Sequence, residues 1–161
     1  MKGSEKPMKV YISYGNTADQ VTALRLQALA AVNGLTVYVP PAYTRRDKRQ
    51  FLEAESAQKL KDADVVLGVI RSGLSESCRQ ELDTSLTLGK ATIVMVDPVL
   101  APALTQRFGP NLLVIDPVHP HQTELGLVEH LKSLNAARSV NTSLLALGTL
   151  ALGLLIFSSA E

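Results

Sequence analysis

The chain of 161 residues has no tryptophan, and aromatic residues make up only 4% of it. A platform that stacks nucleic-acid bases is therefore not expected. Sixteen basic residues against fifteen acidic ones leave a net charge of +1. No field of one sign exists to attract nucleic acid, so a nucleic-acid partner is not expected either. The single cysteine, Cys78, excludes a disulfide scaffold and a cysteine-based zinc site.

The common phosphate-binding loops are also missing from the sequence. It contains neither GxGxxG nor GxxxxGK[ST], so ATP or dinucleotide binding in the standard Rossmann manner is not supported. His119 and His121 precede Glu124 without a further ligand at metal spacing, and no metal site is expected there. The first residues, MKGSEKP, do not resemble a signal peptide.

Charged residues are absent from Ser139 to Ala160. As a helix, residues 140–160 would extend about 31 Å, enough to cross a hydrocarbon core of ~30 Å. The preceding cations, Lys132 and Arg138, predict that the body of the chain stays in the cytoplasm. We therefore predict a C-terminal membrane anchor at 140–160; a hydrophobic helix that packs in an assembly is the alternative.

The remaining sequence alternates short apolar runs with helical segments, which predicts a parallel sheet covered on both faces. The expected fold is α/β, a doubly wound, flavodoxin-like sheet of five parallel strands, with a C-terminal hydrophobic helix. The domain division is an N-terminal extension at 1–7, an α/β domain at 8–136 and the hydrophobic helix at 137–161. The predicted strands are Lys9–Tyr14, Leu35–Val39, Val65–Ile70, Thr92–Val96 and Leu112–Ile115, and the predicted helices are Thr17–Asn33, Gln50–Asp62, Ser75–Gly89 and Thr123–Leu134.

Two of the predicted helices carry further expectations. In the first, Val21, Leu24, Ala28 and Val32 share one face, which predicts that this face is buried. In the second, Asp47 is the expected N-cap, with Gln50 three residues later.

Ligands of open parallel sheets collect at the carboxyl ends of the strands, so function is expected in the loops Tyr14–Thr17, Pro40–Arg49 and Arg71–Cys78. The first loop is small and polar; a plain turn is the alternative to a functional role. In the second, cations at the start of a helix oppose the helix dipole. That arrangement suggests a phosphate ligand or an acidic partner, with a solvated loop as the alternative.

The third loop leads into a helix on which Cys78, Glu81, Leu82 and Ser85 share a face. Ser77 and Gln80 form a possible capping box at its start. A carboxylate at Glu81 would lie near the carboxyl edge of the sheet, where it could stabilise an oxocarbenium-like transition state, as glycosidic chemistry requires. A solvated helix glutamate is the alternative.

These residues resemble a TIR (Toll/interleukin-1 receptor-like) domain over about residues 8–136. Tyr11–Tyr14, reading YISY, is similar to the first box of that family, and Ser75–Leu82 is similar to its second box, S-x-W-C-x-x-E-L, with Ser77 in place of the tryptophan. In catalytic members the glutamate of this box cleaves the nicotinamide glycosidic bond of NAD, and Glu81 occupies that place. The basic second loop corresponds to the self-association loop of the family, without its usual glycine.

The resemblance implies NAD as substrate rather than as cofactor, and activation by self-association in signalling or defence. It implies Glu81 as the catalytic residue. It also implies that Arg45 or Arg46 contacts the pyrophosphate, and that the remaining substrate contacts come from Tyr14, Gly15, Asn16, Tyr43 and Ser77. A non-catalytic TIR-type adaptor is the alternative.

The same stretch is also similar to nucleoside deoxyribosyltransferases. That family has an ADVV strand, a helix that bears a glutamate, and an LGK turn. Here Ala63–Val66, Glu81 and Leu88–Lys90 match the scheme. In that family the glutamate is a nucleophile on the sugar, so this resemblance implies transfer at an N-glycosidic bond.

Overall fold

The computed structural model describes residues 7–46 and 52–137. Within these residues, five parallel strands form one sheet in the order β2-β1-β3-β4-β5. The predicted α/β fold with a five-stranded, doubly wound parallel sheet is confirmed. The strands are β1 (Lys9–Tyr14), β2 (Thr36–Tyr38), β3 (Val65–Ile70), β4 (Ala91–Val96) and β5 (Leu112–Val114).

Helices connect the strands and cover both faces of the sheet. The helices are α1 (Gln20–Val32), α2 (Ala54–Asp62), α3 (Glu76–Thr87), α4 (Ala101–Phe108) and α5 (Pro120–Ala137). One buried cluster joins α1 and α5 to one face, and a second joins α2, α3 and α4 to the other. Alternate residues of β1 therefore enter different layers: Ile12 and Tyr14 lie in the first cluster, and Tyr11 lies in the second.

Helix α4 is not among the elements predicted from the sequence. It follows Asp97-Pro98 and contains Pro102 in its first turn. In the sequence, two prolines this close together are more typical of a loop than of a helix. A proline in the first turn is nevertheless compatible with a helix, because the amide it lacks would have no partner there.

The predicted start of α2 is wrong. The helix begins at Ala54, and Glu53 caps it by accepting hydrogen bonds from the amides of Glu55 and Ser56. The expected cap, Asp47, lies outside the described residues.

The predicted buried face of α1 is also wrong. Val21, Leu24 and Val32 are 68%, 45% and 87% exposed, and Ala28 is exposed as well. The buried residues of this helix are Thr22, Ala23, Leu26 and Ala30. Apolar residues occur on every side of α1, so their spacing does not select one face.

The predicted anchor at residues 140–160 lies outside the described residues. Among the helices in 7–46 and 52–137, none is long and apolar enough to cross a bilayer. The anchor therefore stays a prediction.

The orientation of α1 predicts how substitutions affect stability. Leu26→Ala should lower the free energy of unfolding by about 2–5 kcal/mol, because it leaves a cavity beneath α1. Leu24→Ala, on the exposed face, should change it by less than about 1 kcal/mol. Denaturant unfolding of the full chain, followed by circular dichroism, measures both. A larger loss for Leu24→Ala would contradict the observed orientation.

Candidate functional site

Helix α3 places Glu81 against the carboxyl half of β1. Ser75 begins the helix by accepting a hydrogen bond from the amide of Cys78. The predicted shared face is confirmed, because Cys78, Glu81, Leu82 and Ser85 are all buried. The predicted capping box is not formed, since Ser75 rather than Ser77 is the cap.

Gly68 in β3 lets this helix lie close to the sheet. A Cβ at that position would be 3.2 Å from a methyl carbon of Leu82, closer than ordinary packing allows. Because glycine has no Cβ, α3 can pack close to the sheet, and Glu81 is buried with it.

Two hydroxyl groups of β1 donate hydrogen bonds to the Glu81 carboxylate. The Tyr11 hydroxyl is 2.5 Å from Oε2, and the Ser13 hydroxyl is 2.7 Å from Oε1. Tyr11 and Ser13 are two residues apart, so they project from the same face of the strand. The carboxylate of Glu81 is thus held at a fixed position against the sheet.

Arg45 completes the site with a buried ion pair. Its Nη2 lies 2.7 Å from Oε1 of Glu81, and its Nη1 lies 3.2 Å from Oε2. The two side chains are 0% and 1% exposed. The guanidinium also lies over the ring of Tyr14, 4.2 Å from the centroid, in a cation–π arrangement. The buried Nε of Arg45 has no hydrogen-bond partner among the described residues.

The segment that carries Arg45 is a short 3-10 helix, Ala42–Arg45. The hydroxyl of Ser77 donates to the carbonyl of Thr44, and the hydroxyl of Tyr14 donates to the carbonyl of Pro40 at 2.8 Å. These two bonds fasten the second loop to α3 and to β1, and so hold Arg45 over Glu81.

Burial and the charge of Glu81 shift the pKa values of three side chains around the carboxylate, Tyr11, Arg45 and Cys78. Burial and the charge of Glu81 raise the pKa of Tyr11, so its phenol is a hydrogen-bond donor at neutral pH. Burial raises the pKa of Cys78 to about 12. Burial alone would lower the pKa of Arg45, but the charge of Glu81 and its hydrogen bonds outweigh burial and the pKa is raised, so the guanidinium stays charged.

The first and third loops pack directly against each other beside this site. The amide of Gly15 donates to the carbonyl of Val69 at 2.8 Å, and the amide of Ser75 donates to the carbonyl of Gly15 at 2.6 Å. A Cβ on Gly15 would lie 1.9 Å from the carbonyl oxygen of Gly73. Gly15 is therefore required for close approach of two loops, rather than of a ligand.

Asp19 adds a second connection between these loops. Its carboxylate, which is buried, accepts hydrogen bonds from the Ser72 hydroxyl at 2.7 Å and from the Arg71 amide at 3.2 Å. The side-chain oxygen of Asn16 also accepts from the Ser72 hydroxyl, at 2.6 Å. The side chain of Asn16 thus contacts the third loop.

The structure brings four of the predicted site residues together: Tyr14, Arg45, Ser77 and Glu81. Gly15 and Asn16 belong to the neighbouring contact between loops. Tyr43 and Arg46 are exposed. Lys48 and Arg49, the other cations of the second loop, lie outside the described residues.

Tyr11 and Ser13 are the site residues that the sequence analysis does not single out. A signal for them exists in the sequence. In a strand whose other side chains pack in the core, a tyrosine and a serine two residues apart place two hydroxyls on one face.

A further buried carboxylate, Glu124, has a different role. It accepts hydrogen bonds from Arg25 at 2.8 and 2.5 Å and lies 3.2 Å from Nδ1 of His121. This cluster ties α1 to α5. No group of three or more potential metal-ligating side chains occurs within residues 7–46 and 52–137.

The pKa of Cys78 predicts its reactivity. At pH 8 the native thiol should resist iodoacetamide, because the reactive thiolate is scarce when the pKa is about 12. Intact-mass spectrometry of the full chain measures the labelling. The chain unfolded in guanidinium, with a thiol pKa of about 8.5, is the control. A native labelling rate that rises through pH 8–9 like that of a free thiol would contradict the buried site.

Substitution of Gly15 tests the contact between the loops. Gly15→Ala should destabilise the fold by about 1–3 kcal/mol or more, because its Cβ would overlap a backbone oxygen. Gly109→Ala is the matched control, since a Cβ there meets only ordinary contact at 3.8 Å. Thermal unfolding of both variants compares them; equal melting temperatures would contradict the packing described.

Comparisons with known proteins add information about the fold alone. No family model matches the chain, and no curated protein matches it. A solved structure with a similar fold is the sugar isomerase domain of the RpiR transcription factor from Sphaerobacter thermophilus. The two share 17% identity with a TM-score of 0.52, over 88% of this chain and 76% of that one.

Proposed function

We propose that this domain is a TIR-like enzyme that cleaves or cyclises NAD at the nicotinamide glycosidic bond, and that the described conformation is its closed form. The observation that carries the proposal is the Glu81 carboxylate. It is buried at the edge of a parallel sheet where ligands bind, and it is held by Tyr11, Ser13 and Arg45.

The chemistry suits a fixed carboxylate. When the bond between the ribose anomeric carbon and the pyridinium nitrogen breaks, its electron pair goes to the nitrogen, and nicotinamide leaves neutral without a proton. Positive charge then develops on the ribose, where a preorganised anion stabilises it. Attack by water, followed by loss of a proton, gives hydrolysis, whereas attack by another nucleophilic atom of the same molecule gives cyclisation.

In the closed form, the Arg45 guanidinium is hydrogen-bonded to the Glu81 carboxylate. Leaving either buried charge unpaired would cost about 3–5 kcal/mol, so the site opens only when substrate hydroxyls replace the guanidinium as donors to Glu81. The buried Nε of Arg45 has no partner within residues 7–46 and 52–137, and a buried donor that lacks a hydrogen bond would weaken the closed form by about 1–3 kcal/mol. Once released, Arg45 lies in the same loop as Arg46, and both can contact the pyrophosphate.

A second candidate function is a non-catalytic interaction module. The observation that favours it is that both oxygens of the Glu81 carboxylate are already engaged, by hydrogen bonds from Tyr11, Ser13 and Arg45. The ion pair would then serve only to shape the second loop for a partner.

In the proposed function, the protein is bound to a membrane through its C-terminal segment. Residues 140–160 would anchor the chain with the α/β domain in the cytoplasm, and confinement to the bilayer would raise the local concentration of the domain. Self-association would then favour the open form of the site.

Purified full-length protein, concentrated on liposomes, should release nicotinamide from NAD. Glu81→Gln should reduce this release by about 100-fold or more, because it removes the charge that stabilises the transition state. Chromatography measures nicotinamide and the sugar product. Parallel incubations with deoxynucleosides test the deoxyribosyltransferase alternative, for which free base is the expected product.

Glu124→Gln is the matched control, since it also removes a buried carboxylate that pairs with an arginine, but on α5. It should retain nicotinamide release in the fraction that folds. Equal loss in both variants would point to stability rather than catalysis. No release of nicotinamide or base from crowded, folded wild-type protein would reject the enzyme and favour the interaction module.

A further inference from the structure

Helix α1 exposes an apolar stripe directly opposite its buried face. Val21 and Leu24 are exposed, as are Ala28 and Ala31. No charged residue interrupts them. A surface helix of a globular domain normally turns polar residues to the solvent, so this stripe is suited to cover by another apolar surface.

The spacing of the stripe is that of a two-stranded coiled coil. Residues 21, 24, 28 and 31 follow the a-d-a-d pattern of two heptads. Valine at a and leucine at d favour a parallel dimer, and the alanines in the second heptad permit close approach of two helices. At the flanking g and e positions of a parallel pair, Gln20 would face Arg25 and Gln27 would face Val32. Arg25 is paired with Glu124 of its own chain, so like charges do not face each other.

The position of the chain ends also favours parallel pairing. The amide of Met8 donates to the side chain of Asn135 near the end of α5, and the carbonyl of Met8 accepts from Thr36, just after α1. Both helices therefore end at the same edge of the sheet. The uncharged segment 139–160 follows α5 in the sequence. With that segment as the proposed anchor, two copies in one membrane would present α1 in the same direction.

We infer that two copies of this chain pair through the stripe Val21, Leu24, Ala28 and Ala31, in parallel and in register. This inference rests on the proposed function, in which self-association at a membrane activates the site. Two heptads form a small contact, so the pairing depends on the local concentration that a shared membrane provides.

Cysteine cross-linking of the full chain on liposomes tests this pairing without an activity measurement. Around a two-fold axis each position of a parallel pair faces itself. Val21→Cys and Ala31→Cys should each form cross-linked dimers with a short bismaleimide, about tenfold faster or more than Val99→Cys, an exposed control far from α1 in sequence. The native Cys78 is buried and contributes no background.

A second substitution tests the stripe itself. Leu24→Glu, added to Val21→Cys, should slow cross-linking by about tenfold, because it places two carboxylates opposite each other. Circular dichroism confirms that this variant is folded.

The possible outcomes separate the alternatives. Cross-linking only in mixtures of the residue-21 and residue-31 variants would show antiparallel pairing and overturn the inference. So would no cross-linking, the result expected if the chain's own segment 139–160 covers the stripe. Cross-linking is measured without NAD, so it reports pairing independently of turnover. Glu81→Gln should lose nicotinamide release and still form cross-linked dimers, so loss of release and loss of pairing are separate results.

Discussion

The buried ion pair between Arg45 and Glu81 is the constraint on which the carboxyl edge of the sheet depends. Each charge is tolerated in the interior because the other lies 2.7 Å away. Through this pair, a segment after β2 is joined to α3 and β1, elements that are distant in sequence. Removing the pair would leave the hydrogen bonds to the carbonyls of Thr44 and Pro40 but would remove the charged link between the second loop and α3.

Under the proposed function, the same pair would make substrate binding and the closed form mutually exclusive. The oxygens of Glu81 that accept from Arg45 are those that would accept from a ribose. A ligand can therefore use Glu81 only by supplying new donors while Arg45 leaves, and the affinity of the site includes the cost of opening. Such a competition would account for a carboxylate that is both buried and at a position suited to chemistry.

The sequence predicted those features of the structure that depend on residues near each other in the chain. Alternation of strands and helices predicted the sheet, and i, i+3, i+4, i+7 spacing predicted the face of α3 that carries Glu81. The partner of Glu81 was not predictable in this way, because Arg45 is 36 residues away and their contact follows from tertiary packing. The prediction of the buried face of α1 was wrong for a related reason. Apolar residues occur on every side of this helix, so packing against the sheet, rather than their spacing, determines which side is buried.

Continuous contacts connect the start of α1 with Glu81. Asp19 directly precedes α1, yet its side chain does not cap the helix; it binds Ser72 and the amide of Arg71 instead. The third loop then reaches Ser75, whose side chain caps α3, the helix that carries Glu81. A shift of α1 on pairing would therefore displace the support of α3, and α3 also holds the Arg45 segment through Ser77. In the proposed function the ion pair has a closed and an open state, so it is where a change at α1 would affect the chemistry.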